Sequence, residues 1–174
     1  ADDTTTPASW LAGKKVFELL KCAQCHPRSL EDMNRPGVDR ASLAPSLQMA
    51  ETRLRHNWID SWILRPDEWM PGTRMPTNFP KNEEGRRVSP LGGIIDAPNF
   101  AKDREEFARL LGGDEQARQF LSSPEAVTKS LRDYVWSLGI NGAAAPAPLK
   151  PAAPAESAGA FGAAPPRAAS AGTR

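Results

Sequence analysis

The chain is expected to be all-α. Apolar residues recur at helical spacing in three stretches, and no stretch alternates apolar and polar residues as a half-buried strand does. Between those stretches prolines and glycines gather as breakers, which confines the helices to short, separate pieces.

The first helix is placed at Ala8 to Lys21. Pro7 precedes it, and Val16, Phe17 and Leu20 make an apolar stripe. From Pro27 to Pro45 serine, aspartate, asparagine, glycine and proline mark a long loop. A second helix is expected from Leu47 to Leu64. Leu54, Trp58 and Trp62 recur at i, i+4 and i+8 with Ile59 and Ile63 beside them, leaving Arg53, Arg55 and Asp60 to face water. Arg65-Pro66 should end it, because a residue before proline is pushed out of the α region. Pro71, Gly72 and Pro76 make Trp69 to Pro76 an extended loop. Farther on, Gly92-Gly93 and Pro98 are read as breaks that leave a short helix at Lys102 to Leu111. Another follows Asp114, whose side chain suits a cap. In the last helix Pro124 occupies the first turn, Val127, Leu131, Tyr134, Val135 and Leu138 share one face, and Gly139 is the stop.

Composition then divides the chain. From Asn141 to Arg174, 14 of 34 residues are alanine, six proline and four glycine, too little apolar area to offset the entropy of ordering. The expected organisation is therefore a domain over 1–140 and an Ala/Pro-rich extended tail over 141–174. A net charge of +1 argues neither for nucleic acid nor for a strongly acidic partner. No apolar run approaches the roughly 20 residues of a membrane-spanning helix. The opening Ala-Asp-Asp fits a mature protein whose leader was removed after a small residue.

Both cysteines lie in Cys22-Ala23-Gln24-Cys25-His26. Two cysteines so close cannot staple a fold, and alone they cannot build a Cys₄ site. Cys-x-x-Cys-His is the attachment pattern of c-type haem: each thiol adds across a vinyl group, and the adjacent imidazole meets the iron. A thiol–disulfide pair usually comes with a βαβ pattern, which is missing here. A zinc site needs a fourth ligand, and His56 is the only other histidine.

An iron that transfers electrons rather than binding gases needs a sixth ligand, and a thioether raises its potential. Met33 is close to His26 in sequence, and Met49 opens an apolar helix and suits core filling. Met70 and Met75 both precede a proline in a rigid loop. Met75 is the first choice, with Met70 and then His56 behind it; His56 also suits a plain helix-surface imidazole. Trp58, Trp62 and Trp69 suit either a haem wall or ordinary core. Arg53, Arg55 and Arg74 suit propionate neutralisation, although a solvated face explains the first two equally well.

Gly13-Lys-Lys-Val-Phe17 with Cys-Ala-Gln-Cys-His-Pro27, Ala44-Pro45-Ser46-Leu47, Pro71-Gly-Thr-Arg-Met75-Pro76 and the helix through Leu131, Tyr134 and Leu138 together resemble the class I cytochrome c family. The resemblance covers about residues 8 to 80 and 124 to 140. It implies three to five helices around one covalent haem, with the first and last helices crossing where Gly13 permits close approach near Phe17 and Tyr134. It also implies that the Pro45 carbonyl accepts the Nδ1–H of His26. Two features depart from the pattern: Ala44 stands in place of a glycine, and 81–123 is a long insertion.

The expected function is electron transfer on the periplasmic side of a bacterial inner membrane, between a redox donor and acceptor. A cytochrome subunit of a larger respiratory or dehydrogenase complex, held through 81–123 and the tail, is favoured over a freely diffusing carrier. With Met75 displaced, gas binding or peroxide reduction would be open instead.

Overall fold

The computed structural model describes residues 7–29, 31–34 and 36–139. The expected tail at 141–174 lies outside them. Among the described residues there are eight α-helical segments and no strand, so the all-α expectation holds. The segments are α1 (Pro7–Leu19), α2 (Ala50–Arg53), α3 (His56–Leu64), α4 (Pro66–Trp69), α5 (Pro90–Ile94), α6 (Ala101–Leu111), α7 (Asp114–Ser122) and α8 (Pro124–Ser137).

The core forms where α1 lies against α8. Ala12, Val16 and Phe17 of α1 and Val127, Leu131, Tyr134 and Val135 of α8 are all buried. The helices approach so closely that a Cβ on Gly13 would lie 1.9 Å from the Ser130 carbonyl oxygen. Beside that contact Phe17 meets Tyr134 edge-on at 5.1 Å, and Trp10 reaches the same ring at 6.1 Å. Ser123 caps α8 by accepting from the Ala126 N–H, with Pro124 in the first turn.

α3 adds Ile59 and Ile63 to the core, packing on α8. The expected helix from Leu47 to Leu64 is not continuous, however. A 3₁₀ turn (Leu47–Met49) and α2 come first, then Leu54 and Arg55 adopt extended backbone before α3 starts. Both pieces contact α8, and the break turns Leu54 out to solvent. Packing has overridden an uninterrupted helical pattern.

Residues 81–123 fold as α5, α6 and α7 on the same core, through Leu91, Ile95, Phe100, Phe107, Ala117 and Leu121. Lys15 of α1 ties them down by ion pairs to Asp103, at 2.9 Å, and to Glu106. Two sequence expectations are corrected here. Gly92-Gly93 does not break the chain: α5 runs through it, and Gly92 serves close packing, since a Cβ there would be 3.0 Å from the Ser122 Cα. Asp114 does not cap α7; Gly113 takes that position, and Asp114 opens the helix with its carboxylate bound to Arg118. At the other boundaries α1 stops at Leu19, short of Lys21, and Trp69 closes the helical turn α4 before the loop opens.

Gly13→Val should lower stability by at least about 3 kcal/mol, because the new side chain meets backbone and not a flexible neighbour. Chemical denaturation of the variant checks this.

Candidate functional site

α1 ends in a tight reversal. Lys21 takes the left-handed conformation (φ 54°, ψ 33°), which non-glycine residues seldom adopt. The chain then coils as a 3₁₀ turn over Cys22–Gln24, and the Cys22 carbonyl accepts from both Cys25 N–H (3.3 Å) and His26 N–H (2.9 Å). Residues 44–47 run alongside. Ala44 N–H donates to the Cys25 carbonyl and Leu47 N–H to the Pro27 carbonyl, each at 2.9 Å. These two bonds set the Pro45 carbonyl 2.9 Å from His26 Nδ1. A carbonyl can only accept, so Nδ1 carries the proton and Nε2 keeps its lone pair for a metal.

Both cysteines are free thiols, Cys25 exposed and Cys22 half-buried. Burial pushes the Cys22 thiol up to about 11. It is therefore neutral at pH 7.

The methionines separate by environment. Met70 is 57% exposed, while Met75 is half-buried against the core. The Trp62 indole N–H donates to Met75 Sδ at 2.9 Å. A thioether sulfur has two lone pairs, so this contact orients Met75 and leaves one pair available. Trp58 stacks on Trp62 at 5.1 Å and 21°, and Trp69 lies 6.4 Å from Trp58 with its N–H on Ser61 Oγ. Cys22, Leu47, Trp58, Trp62 and Met75 all border the same buried cluster. Arg74 is exposed beside Met75, as are Arg53 and Arg55 on their own segment.

His56 is no surface imidazole, as the sequence suggested it was. Its Nε2 lies 3.6 Å from Asp133 Oδ1 and its ring meets Trp136 edge-on at 4.9 Å. Both partners belong to α8, so the ring is committed away from the tryptophan stack. Asp60, expected in water, also turns inward: one carboxylate oxygen is buried and the other is 3.9 Å from Arg132. Arg132 and Asp133 are each 3% exposed and pair at 2.9 Å. Burial opposes ionisation of Asp133, but His56, Arg132 and Ser9 outweigh it and hold its carboxyl below the usual range. Sequence reading missed this network. Two adjacent opposite charges inside an apolar helix face were its only signal.

The donor set fits a covalently held haem c. Two thiols stand two residues apart on an open turn, an imidazole is fixed through Nδ1, and a thioether is held by a single donor on one side. Comparison with protein-family models, curated proteins and solved structures returns no match.

Asp133 adds stability above its ordinary carboxylate range, near pH 4, and loses it as pH falls through its depressed native value. Asp133→Asn should remove that part of the acid dependence. It should also cost about 3–5 kcal/mol at neutral pH, as breaking a buried ion pair does. Thermal unfolding across pH 3 to 7 (about that range brackets carboxylate titration) measures both.

Proposed function

We propose that this chain is a monohaem c-type cytochrome that transfers electrons between redox partners. The observation that carries the reading is the Pro45 carbonyl held 2.9 Å from His26 Nδ1, directly after two free thiols at Cys22 and Cys25. When bound, haem c supplies a one-electron ferric/ferrous couple.

The protein's own residues hold, orient and shield that couple. Cys22 and Cys25 would anchor it through thioethers, so that it is retained in either oxidation state. His26 would bind iron through Nε2, with its ring set by Pro45, and that hydrogen bond strengthens the imidazole as a donor. Met75 would supply a second ligand, with its sulfur oriented by Trp62. Trp58 and Trp62 add apolar bulk, which lowers local dielectric and favours the less charged, reduced state. Arg74, exposed next to Met75, would balance propionate charge. If His26 and Met75 both bind the iron, a carrier is favoured over an enzyme that binds substrate at the metal.

No helix among the described residues is long and apolar enough to cross a membrane. The proposed setting is the outer face of a bacterial inner membrane, as a subunit serving a respiratory or dehydrogenase complex. Residues 81–123 add a helical layer of their own and give such a subunit surface beyond the haem pocket.

Optical spectra of the purified protein, oxidised and reduced, with denaturing pyridine extraction, test the reading. Covalent haem and an iron–thioether band are expected; a protein lacking covalent haem would contradict it. Met75→Ala should abolish that band, lower the potential and let carbon monoxide bind the reduced iron. Met70→Ala should do none of these.

A further inference from the structure

The loop that carries Met75 leaves α4 at Met70 and returns to the core at Phe79, which is fully buried. Inside it the fixings are few. Thr73 N–H donates to the Met70 carbonyl, Met75 N–H to Thr73 Oγ1, Trp62 to the sulfur, and the Thr77 side chain to Asp67 of α4. Pro71, Pro76 and Pro80 supply no backbone donors. A loop so lightly bonded within itself depends on how its two ends are held.

One side chain holds both ends. Arg87 Nη1 donates to the Phe79 carbonyl at 3.0 Å, where the loop finishes. Its Nη2 donates to Asp67 (2.8 and 3.0 Å) and Glu68 (2.8 Å) in α4, where the loop begins. Arg87 is itself placed by a small turn. Lys81 and Arg87 form an antiparallel bridge, Asn82 N–H donates to the Arg86 carbonyl, and Val88 N–H donates to the Pro80 carbonyl. Lys81 adds a second strap to Glu68 at 2.9 Å.

This is unlike an ordinary surface ion pair, which contributes little because both partners are solvated and mobile. The Arg87 side chain is only 10% exposed. Its planar fork serves three acceptors at once, a geometry that lysine cannot reproduce.

Resting on the haem reading above, we infer that Arg87 is a positioning residue for Met75: it buckles the ligand loop shut and keeps the sulfur on the iron. The start of the 81–123 insertion thereby gains a role in the site. It supplies, from outside the loop, the closure that the loop's own prolines and glycine do not.

The test uses the full-length, haem-loaded protein in its ferric form, titrated with imidazole while the iron–thioether band is followed. Imidazole competes with Met75, so its apparent affinity reports how firmly the sulfur is held. Arg87→Gln should bind imidazole about 10- to 100-fold more tightly, the range typical when an outer partner of a metal ligand is lost. Arg87→Lys should fall between, and it also serves if the glutamine variant does not fold. Arg118→Gln, which cuts the exposed Asp96 and Asp114 pairs elsewhere in the insertion, should leave the affinity unchanged. Wild-type imidazole affinity in both Arg87 variants would overturn the inference, even if their melting temperatures drop. So would a wild-type protein with covalent haem but no thioether band, because Met75 would then not be the ligand. A protein without covalent haem would sink the functional reading separately. The buckle would then be judged by hydrogen exchange over residues 70–79, which must accelerate in Arg87→Gln relative to α1 and α8 if Arg87 closes the loop.

Discussion

Everything in this molecule hangs on the approach of α1 to α8 at Gly13. With no side chain there, the Ser130 carbonyl comes within a distance that any Cβ would block. That approach lets Phe17 and Tyr134 meet edge-on and buries Val16 and Leu131 completely or nearly so. It also sets the exit of α1. The chain must reverse at Lys21, and the turn that follows presents Cys22, Cys25 and His26 at the edge of the core and not inside it. A larger residue at position 13 would displace the helix that delivers the motif.

The two sides of the proposed site are held by different physical means. On the His26 side the holding is backbone work: paired amide bonds between 25–27 and 44–47 bring one carbonyl to one ring nitrogen. On the Met75 side the loop has little internal bonding, so side chains do the holding. Trp62 contacts the sulfur, and the Arg87 fork spans the loop ends. Neutral amide bonds are insensitive to acid, whereas the fork depends on ionised Asp67 and Glu68. Hydrogen bonds from Arg87 and Lys81 lower the pKa of both carboxyls. The Arg87 fork is thus sensitive to acid in a way that the amide bonds beside His26 are not.

Much of this was legible in the sequence because it is local. Cys22, Cys25 and His26 are adjacent, α8 shows its apolar face at regular spacing, and Met75 stands between breakers. The misreadings came where one residue type serves two ends. Gly92-Gly93 looked like a break, yet glycine also permits two helices to touch, as Gly92 does against Ser122. His56 and Asp60 looked like solvent-facing polar residues of an amphipathic helix. They instead join Arg132 and Asp133 in a buried charged cluster that no periodicity reveals. Arg87, one of two consecutive arginines, reads as surface charge until its acceptors, eight to twenty residues away, are known.

By itself, then, the sequence determined the helical class and the clustering of Cys22, Cys25 and His26, because spacing along one chain is enough to specify helices and neighbouring thiols. Tertiary structure alone decided three things. It broke the second helix at Leu54, half-buried Met75 while leaving Met70 exposed, and brought Arg87 onto Phe79, Asp67 and Glu68. Each depends on which distant groups share a small volume. Burial and hydrogen-bond satisfaction are properties of that volume, and no window of sequence contains them.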